Sequence, residues 1–143
     1  MQDLDIAKRR FSEEKFTLVI VKNTKVIFET RLHGISGFLR AIEKLENRLT
    51  DASVADKVAG KAVALLCAHA KIKALYAETL SRNAKEFLEE NLIHHEYDKL
   101  VENILGLDKA EICPFEKAAM EISDPKDAYA RFKTLPTSST QEG

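Results

Sequence analysis

Excess charge of one sign is missing from this chain: 22 Lys and Arg stand against 23 Asp and Glu, for a formal net charge of -1. A general nucleic-acid binder gains affinity by displacing phosphate counterions with excess positive charge, so that class is set aside. Cysteine is scarce, with Cys67 inside an apolar run and Cys113 ahead of a proline. A disulfide framework needs more cysteines and a secretory setting, so both are read as reduced thiols. Long apolar runs are missing too. The longest, Ala62 to Ala70, falls well short of the roughly 20 residues that span a bilayer and carries His69. The acidic start, Met1-Gln2-Asp3-Leu4-Asp5, lacks the apolar core of a signal peptide. The expectation is a cytoplasmic protein without membrane association.

What is present is ordinary globular material. The 143 residues are 45% apolar and 31% charged, enough for one domain with a core of its own. Residues 1–15 are polar, and Leu4, Ala7 and Phe11 mark one face of a helix from Leu4 to Glu14. Phe16 to Val21 and Val26 to Thr30 read as strands joined at Lys22-Asn23-Thr24-Lys25, because Asn tolerates the positive φ of a hairpin turn. After the break at Gly34 to Gly37, Ser36 is expected to cap a helix carrying Phe38, Leu39, Ile42, Leu45 and Leu49. Val54 to Lys71 reads as one long buried helix, apolar nearly all round. Ile72 to Ala77 follows as a strand, Ser81 as the cap of a helix from Arg82 to Asn91, and Ile93 to Tyr97 as a further strand. Leu100 to Leu105 reads as a short helix or an extended segment, and 106–111 as a loop. Cys113-Pro114 and Asp124-Pro125 each open a helix with a first-turn proline. The tail from Pro136 to Gly143 reads as disordered. A hairpin followed by alternating helices and strands implies an α/β domain over 16–135, with a mixed sheet covered by helices.

Few residues combine into chemistry. His94 and His95 are adjacent and point to opposite faces of a strand, so they cannot hold one ion together. No Cys-x-x-Cys, His-x-Glu or His-Glu-x-x-His occurs, and neither a metal nor a cofactor is expected. Asp56-Lys57-Val58-Ala59-Gly60-Lys61 is not a P-loop, since Ala55 and Ala62 stand where its first Gly and its Ser or Thr belong. Read as a helix start, it offers free N–H groups and a positive dipole end to an anion, with Lys57 and Lys61 sharing a face. Gly60 costs about 1 kcal/mol there relative to Ala, which a close approach would explain. The structural alternative is capping by Asp56, packing at Gly60 and solvated lysines. Cys113 precedes a helix whose dipole can acidify a thiol. Glu116, one turn on, is either a proton carrier or a capping-box acid reaching back to the Cys113 amide.

Three segments together carry a resemblance: Ala55 to Ala62, Tyr76-Ala77-Glu78-Thr79-Leu80-Ser81, and Ile112 to Ala118. With the Leu18 to Lys22 hairpin strand, the chain resembles the bacterial family designated domain of unknown function 1893, from about Phe16 to Tyr129. The resemblance implies a cytidine deaminase-like fold, a three-layer α/β/α sandwich around a mixed sheet. Zinc deaminases place His-x-Glu at one helix start and Pro-Cys-x-x-Cys at another. The corresponding starts here read Asp56-Lys57-Val58 and Cys113-Pro114-Phe115-Glu116, so a single thiolate is left of the zinc ligand set.

Three readings compete. A metal-independent pocket would bind a nucleotide-like or other anionic small molecule through Lys57, Gly60, Lys61 and Ser81. An enzyme would use Cys113 as nucleophile, with Asp56 or Glu116 handling protons. A structural or interaction protein would use the motifs for packing alone. A homo-oligomer is compatible with each.

Overall fold

The computed structural model describes residues 2–32, 35–105 and 112–135. The expected break at Gly34, the loop 106–111 and the tail 136–143 lie outside the described residues. The chain opens with helix α1 (Gln2–Glu14) and the strands β1 (Leu18–Lys22) and β2 (Lys25–Thr30). Helix α2 (Ser36–Leu45) and a 3₁₀ turn (Glu46–Leu49) lead to β3 (Ser53–Ala59), α3 (Lys61–His69), β4 (Ala74–Ser81), α4 (Arg82–Glu90) and β5 (His94–Val101). Helices α5 (Pro114–Ala119) and α6 (Pro125–Phe132) follow.

The five strands form one mixed sheet in the order β2-β1-β3-β4-β5. β1 pairs antiparallel with both β2 and β3, while β3, β4 and β5 run parallel. One face is covered by α1, where Leu4, Ala7 and Phe11 meet Phe16, Val19, Val21, Ala55, Ala74 and Tyr76. The other face carries the larger core, with Phe38, Leu65, Leu66, Leu75, Leu80, Leu88 and Phe132 fully or almost fully buried. The result is the three-layer α/β/α sandwich implied by the resemblance.

The hairpin turn puts Asn23 and Thr24 at positive φ, 52° and 66°. That conformation is unfavourable for a β-branched threonine. The Asp3 carboxylate accepts from both amides, at 3.0 and 2.9 Å, and so pins α1 to the turn.

Three expectations are corrected. The long helix from Val54 to Lys71 is a central strand and a helix, β3 and α3, divided at Gly60. β3 is a central strand buried from Ser53 to Asp56, so this stretch shows no regular polar alternation and its Val and Ala read as helix. Ser36 lies within α2 rather than ahead of it, and Ile35 takes the N-cap position without a side-chain cap. The strand after α3 also starts later and runs further than expected, ending at Ser81. Leu100 and Val101 continue β5, the extended one of the two alternatives for that segment.

Candidate functional site

β3 ends at Ala59, and Gly60 turns the chain into α3. Gly60 has φ -104° and ψ -170°, an extended backbone open to any residue. Its need for glycine is spatial: a Cβ here would run into the carboxylate of Glu116. That carboxylate accepts from the Lys61 amide through Oε1 and from the Ala62 amide through Oε2, both at 2.9 Å. The first two amides of α3 are thus closed by a side chain 55 and 54 residues away. Free N–H groups and the positive end of the helix dipole favour a negative group at this spot.

Glu116 is set there by α5. Cys113 takes the N-cap position, Pro114 opens the first turn, and Phe115 is 2% exposed with its ring edge-on to Phe132 at 5.9 Å. Glu116 is 5% exposed, and burial pushes its carboxyl above the ordinary carboxylate value. The Ala62 and Lys61 amides and the Lys61 ammonium pull it back. It caps α3 and does not form a capping box in its own helix. The Cys113 amide donates to the Ile104 carbonyl instead, at 3.0 Å.

Burial likewise raises the Cys113 thiol, with the Glu116 and Phe115 amides pulling it down and the Glu116 charge adding to the rise. A thiol shifted in this direction is held protonated, which is the opposite of nucleophile activation.

Asp56 lies in β3 between Leu18 and Ala77 of the neighbouring strands, 7% exposed. Burial raises the Cys67 thiol of α3, and the Asp56 charge adds to that rise. Burial pushes the Asp56 carboxyl up to about 7, against the pull of the Val58 and Lys57 amides. Lys57 is an exposed strand residue whose amide donates to the Thr17 carbonyl. Lys57 and Lys61 therefore do not share a helix face. Ser81 is fully buried and caps α4, accepting from the Ala84 amide at 3.2 Å and donating to Asn83 Oδ1 at 2.6 Å. Of the seven candidates, Gly60, Lys61 and Glu116 meet directly, Cys113 opens the helix that carries Glu116, and Ser81 ends β4 level with Gly60, since Leu80 pairs with Ala59. Among the described residues no group of three or more His, Cys, Asp or Glu side chains is placed to hold a metal.

The contact that sequence reasoning missed is the closure of α3 by Glu116. One signal was available: an otherwise costly glycine at a helix start. Nothing local ties it to residue 116.

The model for the family described as Domain of unknown function (DUF1893) matches residues 6–135. The crystal structure of a DUF1893 family protein, TM1506 from Thermotoga maritima, is similar with a TM-score of 0.84 and 26% identity. That likeness covers 92% of this chain and 88% of the other. RibD from Acinetobacter baumannii matches with a TM-score of 0.45 and 18% identity, over 68% of this chain and 33% of its own. No curated protein matches.

Proposed function

This chain belongs to the DUF1893 family, and we propose that it is a metal-independent binding protein whose α3 start receives an anionic, nucleotide-like small molecule in competition with Glu116. One observation carries this reading: two successive amides already hold a carboxylate at 2.9 Å each, in a space left open by Gly60. A phosphate group suits the same two donors, and its greater charge gains more from the helix end and from Lys61. Its arrival would expel Glu116 and loosen α5 from α3, so that binding is reported as a movement of the last two helices.

A second reading has its own support, since Glu116 is almost wholly buried and its carboxylate meets both amides. On that reading the contact is a permanent clasp. Thermal shifts separate the two. Inorganic phosphate and a nucleotide panel are tested, with chelator present, on the wild type, Glu116→Ala and Lys61→Ala. The binding reading expects stabilisation of the wild type, more of Glu116→Ala and less of Lys61→Ala. Stabilisation of Glu116→Ala alone means a clasp. No shift in any of the three proteins overturns the anion site.

A further inference from the structure

The far end of α3 holds a cavity of about 460 Å³, bounded by the end of α2, the 3₁₀ turn, the end of α3 and α6. Small-molecule sites span about 300–1,000 Å³, so the space suits a compact ligand. His69 and Tyr129 stack at its wall, with ring centroids 4.7 Å apart and planes 23° apart. Lys133 Nζ lies 4.6 Å from the Tyr129 centroid, so this ring already receives an ammonium. Glu43 and Glu46 also line the space, as does Lys71. Among the described residues, none of these two carboxylates and two ammoniums forms an ion pair.

The charges select the ligand class. Burial raises the Tyr129 phenol, and the Glu43 and Glu46 charges add to the rise; both carboxylates line the same space as the ring. His69 is held below its ordinary value, first by burial and then by Lys126 and Lys133, and so adds little positive charge near neutrality. A bare amine would be opposed by the two lysines, and a bare anion by the two glutamates. A molecule carrying both charges finds a complementary partner for each within the same space.

We propose that this groove is a second site, separate from the α3 start, for a small zwitterion of the free amino acid class. The ammonium, with three donors, sits between Glu43, Glu46 and Tyr129. Lys133 leaves the ring and joins Lys71 at the carboxylate. The test uses saturation-transfer NMR on the full chain with pooled free amino acids. The strongest binder is then titrated beside its N-acetyl and its amide derivatives. We expect each derivative, having lost one charge, to bind at least tenfold more weakly. A Glu43→Gln, Glu46→Gln double variant should weaken the zwitterion about tenfold with an unchanged melting temperature, because both positions are exposed. Binding by no amino acid, equal binding of a blocked form, or undiminished binding to the double variant would each overturn the proposal.

Discussion

At its first turn α3 is sealed by a distant carboxylate, and at its last turn by its own backbone. The start is closed when Glu116 accepts from Lys61 and Ala62. The end is closed when Lys71 turns to φ 60° and the Ile72 amide returns to the Cys67 carbonyl at 2.9 Å. The helix between them is 9 residues long, about 13 Å. The difference has a consequence for the side chains. A start that needs a partner recruits Gly60, Phe115 and Glu116 into one buried contact. An end that satisfies itself leaves Glu43, Glu46, Lys71 and Lys133 free to line an open groove. The first region is buried and its charge is matched by internal hydrogen bonds, while the second is open, with Lys133 lying over the Tyr129 ring.

The largest expected effect lies beneath the helix that joins the two ends. Asp56 titrates at about 7 in the fold, above the ordinary aspartate value of about 4. The folded state therefore binds the extra proton. Its contribution is fully present below about pH 4 and is lost as pH rises through about 7. Asp56→Asn should remove this slope, with a gain at pH 8 of up to about 4 kcal/mol. Urea melts of both proteins at pH 5 and pH 8 read it directly. Equal slopes would mean that the carboxyl is solvated in solution.

Gly60→Ala comes next and attacks the sealed end. Its methyl group displaces the Glu116 carboxylate, leaving two amides and a buried acid without partners, a loss of about 3 kcal/mol. Glu116→Ala should cost about 2 kcal/mol, as a lost helix cap with a buried contact does. The double variant then tests whether the two positions act as one: its loss should fall well below the sum. Additive losses would separate the glycine from the carboxylate.

The smallest effects belong to the open end. His69→Ala removes one ring of a half-buried stack, worth about 1 kcal/mol. Lys133→Ala removes a cation from an accessible ring, about 0.5 kcal/mol. A loss at Lys133 as large as that at Gly60 would erase the contrast between the ends.

The sequence carried the layers of this fold further than its seams. The helix face of Leu4, Ala7 and Phe11, the Asn23-Thr24 hairpin turn and the proline-opened helices at Pro114 and Pro125 were all readable, because each rests on residues within a few positions of one another. The β3 to α3 boundary was not, since Val54, Ala55, Val58 and Ala59 are as apolar in type as the helix that follows, although Val58 is 40% exposed. The candidate site was legible as a set of parts. Gly60, Lys61, Cys113 and Glu116 were named from their helix starts, and the structure brings them together. Which of them bonded to which depended on a contact across 55 residues, and no local spacing encodes that. The groove at His69 and Tyr129 was unreadable for the same reason, as its walls come from α2, α3 and α6.

The reach of the Glu116 contact also makes it a clock. Residue 61 leaves the ribosome long before residue 116, so the two amides at the start of α3 stay open to solvent exchange until the last helices arrive and dock. In a pulsed deuterium-labelling experiment on the refolding chain, Lys61 and Ala62 should gain protection after the remainder of α3. Their protection then dates the moment at which the C-terminal helices join the sandwich.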